Sequence, residues 1–476
     1  MHIQVSFQQI ILYSVLLIIN SVVISNPIGI LWCIMQFVFV IYLFATGKKE
    51  SAVFWHLVFM ITSSASTAVT TEDLGRFNYS SIKLFGPLTI SYLFAIILLF
   101  ISPKTKKDIK FRYSLFWKMR NIFVIFGIMG MMLGIVGLFG LGYYFDAFVG
   151  FSVYIMVLVI HIELIMRYDK GRLLKKCFYA CIPLLIASIV NNLSNVLLDI
   201  KTTYSIFDIY SQSAISSFSL LLLLALPNVS NKKIVVAALL VYLILILTTA
   251  TGKFFFNLAM MLFIYLLMLI NNNKIRYRKF FIALAIFVIP VVLSSSFLLE
   301  GKAALKFSQF KSVFNIFESD ITSVEDSPYI RMAEVLNIYS ENVKNPIYAV
   351  MGRGYGGYFQ DELGLFNKIV LGEGSFREEY IIQGKFATAH STFATIPLVN
   401  GFAGLILIFY LIVQYVKRSV RGNFLAGMVL LWMLSMFYYN VVYGLIGIFY
   451  LFASEFNTVH DDNKKYHKLL CTKSNK

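Results

Sequence analysis

The stretch SPYIRMAEVLNIYSENVKNPIYAVMGRGYGG, residues 327–357, decides how the fold of this chain is interpreted. It lies inside residues 299–389, the only long polar interval of a strongly apolar sequence. Hydrophobic residues make up 59% of the 476 residues and charged residues 14%, and the mean hydropathy is +0.76. Apolar runs of about 20 residues, which match the thickness of a bilayer, flank the interval on both sides. The sequence therefore predicts an integral membrane protein whose apolar spans flank one long polar segment.

Fourteen apolar runs are predicted to cross the membrane, and the loops between them set the orientation. Basic residues cluster in every second loop, as at Lys104, Lys106 and Lys107, whereas the intervening loops have few. Cytoplasmic loops of membrane proteins carry the excess of Lys and Arg, so we place both termini in the cytoplasm and residues 299–389 outside. The predicted spans lie near residues 5–24, 29–46, 53–69, 86–102, 121–141, 146–166, 177–198, 207–227, 234–250, 254–270, 280–298, 390–416, 424–441 and 443–455.

The predicted fold is an all-α polytopic membrane protein with one large extracytoplasmic loop. Its net charge of +17 does not indicate nucleic acid as a partner, because the basic residues lie in short loops between apolar runs. The predicted parts are transmembrane helices 1–11 over residues 1–298, the large extracytoplasmic (periplasmic) loop over 299–389, helices 12–14 over 390–455 and a cytoplasmic tail over 456–476.

Ionisable residues and cysteines within the spans argue against two other functions. Cys177 and Cys181 share a helical face, but without His or acidic partners nearby they predict no metal site. Ion-coupled transporters carry acidic or His relays at mid-membrane, and this sequence has almost none. His161 and Glu163 are interpreted as an interfacial pair beside Arg167 rather than as such a relay.

An amphipathic helix is predicted over residues 328–345 of the polar interval. Ser327 suits its N-cap, Pro328 suits the first helical position, and Asn345-Pro346 ends it. Arg331 lies in the first turn, where a cation opposes the helix dipole. Two interpretations stay open at Arg331: a surface ion pair with Glu334, or a cation placed for an anionic ligand such as a phosphate.

A glycine cluster and a histidine follow this helix. Gly352-Arg353-Gly354-Tyr355-Gly356-Gly357 is neither a dinucleotide-binding fingerprint nor a P-loop, because no strand precedes it and no Gly-Lys-Ser/Thr closes it. Its glycines are expected either to leave backbone N–H groups free for an anion or simply to make a flexible loop. His390 opens an apolar run at the outer mouth of a span, where it is either a structural residue or a base.

In this order the residues resemble the O-antigen polymerase and O-antigen ligase superfamily of polytopic inverting glycosyltransferases. Several members carry a Thr-Gly-Ser-Arg-like turn between two spans, then a long extracytoplasmic loop with an Arg, a Gly-x-Gly cluster, and a His-Asn or His-Ser pair that opens a span. The resemblance covers roughly residues 245–416, and Lys253 stands where the family has Arg but keeps a positive charge. The corresponding residues are Thr249-Ala250-Thr251-Gly252-Lys253 for the turn, Arg331 for the loop Arg, Gly352 to Gly357 for the cluster and His390-Ser391 for the pair.

The resemblance implies a GT-C-like fold and an inverting, metal-independent glycosyl transfer without a cofactor. The expected activity is polymerisation of undecaprenyl-pyrophosphate-linked oligosaccharide repeat units into O-antigen or capsular polysaccharide, on the outer face of the bacterial cytoplasmic (inner) membrane. The expected partners are the lipid-linked donor and acceptor, membrane lipids, a chain-length regulator and a flippase. The expected site residues are His390 as catalytic base, Arg331, Lys253 and Arg353 as pyrophosphate ligands, and the loop glycines Gly352, Gly354 and Gly356.

Two alternatives stay open beside polymerisation. An O-antigen ligase of the same superfamily would transfer the polysaccharide to a lipid A core. A lipid-linked oligosaccharide flippase or another transporter would move its substrate between leaflets without chemistry. The long polar interval and the sparse intramembrane charge favour an enzyme over a transporter.

Overall fold

The computed structural model describes residues 28–64, 82–102, 114–168, 326–368 and 376–420, together with a few single residues such as Tyr79. These residues are mostly helical. In chain order the elements are α1 (Ile28–Ala45), α2 (Lys49–Ser64), β1 (Lys83–Phe85), β2 (Leu88–Thr89), α3 (Ile90–Phe100), α4 (Ser114–Gly140), α5 (Phe145–Tyr168), α6 (Asp326–Lys344), α7 (Pro346–Met351), β3 (Phe359–Gln360), a 3-10 turn (Phe366–Lys368), α8 (Glu378–Gln383), β4 (Lys385–Phe386) and α9 (Thr392–Val420). The strands form two antiparallel pairs, β1 with β2 and β3 with β4.

Three of the described helices are long and apolar enough to cross a membrane: Leu115–Gly140, Phe145–Tyr168 and Thr392–Tyr415. They coincide with three of the predicted spans. Predicted span one, apart from three single residues, and spans seven to eleven, thirteen and fourteen lie outside the described residues, so the number fourteen stays a prediction. The coarser prediction, a mostly helical protein with membrane-spanning helices, agrees with the structure.

The predicted span at 86–102 is shorter in the structure than in the sequence. Residues 83–89 form the β1–β2 hairpin, and α3 begins only at Ile90, where Thr89 caps it by accepting the Tyr92 N–H. An 11-residue helix rises about 16 Å, roughly half the thickness of a bilayer core. Gly86, with φ of 51°, lies in the turn of this hairpin. The turn was not predicted because the whole run is apolar.

Helix α6, from the polar interval, runs alongside α9 in the same direction. Tyr339 Oη donates to the Phe393 carbonyl at 3.2 Å, and Asn342 Nδ2 donates to the Pro397 carbonyl at 2.9 Å. Residue numbers therefore rise together along both helices. This part of the polar interval therefore packs along an apolar helix and does not form a separate domain.

Helix α9 is interrupted at Gly401, whose φ of 64° and ψ of −171° are not helical. In an unbroken helix the carbonyls of residues 397–399 would accept the N–H groups of residues 401–403. Buried carbonyls without donors are costly, and at this break the polar interval supplies the donors. They are Asn342 Nδ2 to Pro397 O at 2.9 Å, the Arg353 N–H to Leu398 O at 2.7 Å and the Gly354 N–H to Val399 O at 3.0 Å.

On its other side the glycine cluster inserts between α4 and α5 through Tyr355. The Tyr355 N–H donates to Gly130 O at 2.8 Å, and its hydroxyl donates to Phe126 O at 3.2 Å. A Cβ on Gly130 would lie 2.4 Å from the Tyr355 ring, so only glycine admits the ring at this position. Gly130 precedes the end of α4 at Gly140 by ten residues, which is about 15 Å. The tip of the cluster therefore contacts α4 well before the C-terminal end of that helix.

Candidate functional site

Glu334 of α6 holds His390, which lies two residues before α9. One carboxylate oxygen, Oε1, pairs with the imidazole Nδ1, and the other, Oε2, accepts the His390 backbone N–H at 2.8 Å. The Glu334 side chain is fully buried, whereas that of His390 is 25% exposed. The Phe376 ring packs edge-on against the imidazole, with centroids 5.0 Å apart. The histidine is therefore fixed on one side and open on the other.

The second imidazole nitrogen, Nε2, has no hydrogen-bond partner among the described residues. A carboxylate without a proton only accepts hydrogen bonds, so a neutral imidazole that faces such a carboxylate through Nδ1 carries its proton on Nδ1. Nε2 then carries the lone pair. A nitrogen of this kind at a partly exposed surface is suited to accept a proton from a bound ligand.

Arg331 lies one helical turn before Glu334 on α6 and is half-buried. Within the part of the chain that the structure describes, its guanidinium forms no ion pair or hydrogen bond. The reason is that both oxygens of Glu334, its neighbour at i+3, are directed to His390. Of the two interpretations left open by the sequence, the ion pair with Glu334 is not formed. The structure thus places Arg331 one helical turn from the buried carboxylate that holds His390.

Arg353 has a different environment from Arg331. Its guanidinium forms an ion pair with Glu341 and donates to the Tyr358 carbonyl, and it lies 4.7 Å from the centre of the Tyr348 ring. Its side chain is 11% exposed. Burial raises the pKa of Glu341, against the opposing effects of Arg353 and of the Gln360 N–H that the carboxylate accepts. Pyrophosphate binding by Arg353 stays a prediction, and it would require a phosphate to replace Glu341.

The loop glycines serve close packing in this structure. Gly352 has a φ of 73°, and a Cβ there would lie 2.5 Å from the Gly401 amide nitrogen. Most backbone N–H groups of the cluster already donate to carbonyls. The bonds run from Gly352 to Tyr348 O, Arg353 to Leu398 O, Gly354 to Val399 O, Tyr355 to Gly130 O and Gly357 to Gly354 O. An anion at this cluster would have to displace some of these bonds, and the expected anion site at Gly352, Gly354 and Gly356 stays a prediction.

The other predicted residues fall in two groups. Lys253 and the turn 249–253 lie outside the described residues, so their position relative to His390 stays a prediction. Glu163 does pair with Arg167, at 3.0 Å, and lies 3.5 Å from Arg120. His161, however, does not share that pair. Its Nε2 lies 3.1 Å from Nε2 of His56, a buried contact between α2 and α5 that the sequence did not indicate.

Taken together, a partly exposed imidazole, a buried carboxylate that orients it and a guanidinium one turn away that has no partner among the described residues can bind an anionic ligand and accept a proton from it. Glu334 is the residue that sequence reasoning missed as a partner of the histidine. A signal existed, because Glu334, Asn337, Glu341 and Asn342 form a polar stripe at helical spacing. All four are buried. Family models, curated protein sequences and solved structures give no match to this chain.

Proposed function

We propose that the protein is a membrane glycosyltransferase that polymerises undecaprenyl-pyrophosphate-linked oligosaccharide repeat units into O-antigen or capsular polysaccharide. One observation carries the proposal: Glu334 is paired with His390, which leaves Arg331 without an anionic partner within the described residues. An oriented base beside an available cation is the combination that glycosyl transfer from a pyrophosphate donor needs. The sequence resemblance adds the substrate class.

The reaction follows from the chemistry of the donor. A hydroxyl of the acceptor sugar attacks the anomeric carbon, the bond from that carbon to the pyrophosphate oxygen breaks, and the configuration inverts. The hydroxyl proton passes to Nε2 of His390, while undecaprenyl pyrophosphate leaves with the electron pair of the broken bond. Because pyrophosphate is a good leaving group, cations that stabilise its developing charge lower the barrier without a general acid. Arg331 and Lys253 take this role.

The location of the pair suits a lipid-linked substrate. His390 lies just before the start of α9, a helix long and apolar enough to cross a membrane. In the proposed orientation this end faces the outside of a bacterial cytoplasmic membrane, with both chain termini in the cytoplasm. A lipid-anchored pyrophosphate would then meet Arg331 and His390 close to the membrane surface.

The experiment is a transfer assay with purified protein in lipid nanodiscs and a synthetic undecaprenyl-pyrophosphate-linked repeat unit. Polymerase activity gives a ladder of products that each grow by one repeat unit. A ligase gives product only when a lipid A core is added. Movement of the repeat unit across proteoliposome leaflets without any new glycosidic bond would instead show a flippase and overturn the proposal.

A deletion strain distinguishes the two enzymes in cells. If the product is O antigen, loss of a polymerase leaves lipid A core capped by a single repeat unit. Loss of a ligase leaves bare core. The second result would replace polymerisation with ligation while keeping the same site residues.

A further inference from the structure

We infer that Glu334 is the positioning residue that selects the proton-accepting tautomer of His390, and this inference rests on the proposed transferase function. The carboxylate contacts His390 twice, through the side-chain Nδ1 and through the backbone N–H at 2.8 Å. The first contact fixes which ring nitrogen carries the proton. The second contact fixes the position of the His390 backbone, from which the side chain extends. Glu334 acts through His390 and has no role in contact with the substrate.

The burial of Glu334 makes this arrangement specific. A fully buried carboxylate is costly unless it is paired and hydrogen-bonded, and both of the oxygens are satisfied by one residue. Arg331, the nearest basic residue along the helix, is not used for that purpose. A structural ion pair on α6 could be made between Glu334 and Arg331 at i−3 without any involvement of His390.

The packing of α6 on α9 does not depend on this pair alone. Tyr339 and Asn342 hold the same two helices together through bonds to the carbonyls of Phe393 and Pro397. Loss of the Glu334 contact should therefore leave the helix pair assembled. The loss should instead change which imidazole nitrogen carries the proton. In a serine protease triad a carboxylate likewise fixes the tautomer and orientation of the histidine.

The test is Glu334→Gln. When the amide oxygen accepts the His390 N–H, the amide nitrogen faces Nδ1 and donates to it, which moves the imidazole proton to Nε2. A protonated Nε2 cannot accept the hydroxyl proton. We expect kcat to fall by about 10²–10⁴-fold while KM for the lipid-linked donor changes little. Glu334→Asp, which keeps an acceptor-only carboxylate, should recover part of kcat.

The matched control is Glu362→Gln. Glu362 is an exposed carboxylate that pairs with Lys344 at the other end of α6, so its neutralisation should leave kcat unchanged. The double variant Glu334→Gln/His390→Ala should be no slower than His390→Ala alone, because a positioning residue has nothing left to position. A double variant slower by the product of the two single effects would overturn the inference.

A second readout does not require activity. The chain has six histidines, and the His390 imidazole signals of ¹⁵N-histidine-labelled protein can be assigned by their loss in His390→Gln. We expect an Nδ1–H tautomer in the wild-type protein and an Nε2–H tautomer in Glu334→Gln. An Nε2–H tautomer in the wild-type protein would overturn the inference. A Glu334-dependent tautomer in a protein without transferase activity would instead overturn the proposed function and keep the assignment of Glu334.

Discussion

Gly352 and Gly401 approach so closely that a Cβ on either one would lie 2.5 Å or less from backbone atoms of the facing segment. Both have positive φ, 73° and 64°, which β-carbon-bearing residues adopt at a cost. The contact joins the end of α7 to the break in α9. It sets the depth at which the glycine cluster meets the apolar helices.

Gly352→Ala and Gly401→Ala should therefore each destabilise the protein by about 2 kcal/mol or more, from backbone strain and the displacement of packed backbone. Thermal unfolding of purified protein in detergent measures the effect. Gly150→Ala is the matched control: this glycine lies within α5 and has open space around its Cβ position. Alanine there should leave stability unchanged or raise it slightly. Equal unfolding temperatures for all three variants would contradict the packing role of the two glycines.

The second prediction concerns Asn342. Its side-chain amide donates to the Pro397 carbonyl, which the break in α9 leaves without a helical donor. Asn342→Leu removes the donor and leaves a buried carbonyl without a partner, which costs about 1–3 kcal/mol. We expect a lower unfolding temperature and unchanged membrane insertion. Val343→Leu, at the neighbouring exposed position, serves as control. A destabilisation equal to that of Val343→Leu would show that water or another group satisfies Pro397.

Several features of this fold could be predicted from the sequence, and others could not. Long apolar runs predicted α4, α5 and most of α9, because about 20 consecutive apolar residues match the thickness of a bilayer core and exceed what most buried helices need. The C-terminal end of α6 was also predictable, since Asn345-Pro346 marks it, but the helix begins at Asp326, before the predicted N-cap Ser327 and the predicted first helical residue Pro328. Each of these features depends on neighbours within a single element.

The partner of His390 could not be predicted in this way, because Glu334 precedes it by 56 residues. From the sequence, an ion pair of Glu334 with Arg331 at i−3 was one of the two open interpretations of Arg331. The apolar stripe of α6 consists of Ile330, which is buried, Val335 and Tyr339, which pack against the hydrophobic core, and Leu336. In the structure Leu336 is 38% exposed, whereas Asn337 and Asn342 are fully buried. The polar side chains face inward because the break in α9 and the backbone of residues 360–363 offer them hydrogen-bond partners.

The third prediction tests the orientation. In a cysteine-free background, a cysteine at Leu363, which is 47% exposed, should react with a membrane-impermeant maleimide in intact spheroplasts. A cysteine at Lys48, exposed in the basic loop between α1 and α2, should react only after permeabilisation. Basic loops are retained in the cytoplasm, which is the physical reason for the difference. The opposite labelling pattern would place the candidate site on the wrong face for a lipid-linked donor that has crossed the membrane.

The fourth prediction concerns the pyrophosphate cations. Arg331→Ala and Lys253→Ala should each abolish most polymer formation while the protein stays abundant in the membrane, because the developing negative charge loses its partner. Lys253→Arg should keep activity, since the positive charge remains. Lys344→Ala is the control, as Lys344 is an exposed cation on the same helix that pairs with Glu362. Polymer at the wild-type level from both alanine variants would show that these cations do not bind the donor.

The last prediction concerns His390, the residue that accepts the acceptor proton in the proposed reaction. Loss of such a group lowers the rate by about 10²–10⁴-fold. His390→Ala should insert normally and still bind the lipid-linked donor, because Arg331 and Lys253 remain, and it should then fail in turnover. The expected readouts are single repeat units on the cell surface and, in the transfer assay, slow product formation without an initial burst.

Three carboxylates are rival bases and need the same treatment. Glu378 and Glu379 lie exposed in the first turn of α8, and Glu373 lies outside the described residues. Glutamine at Glu378 or Glu379 should leave the rate near wild type, since among the described residues no buried partner holds either of them in the way that Glu334 holds His390. An active His390→Ala together with an inactive glutamine variant at one of these three positions would move the role of base from the imidazole to that carboxylate. The oriented pair of Glu334 and His390 would then be a structural contact between α6 and the start of α9.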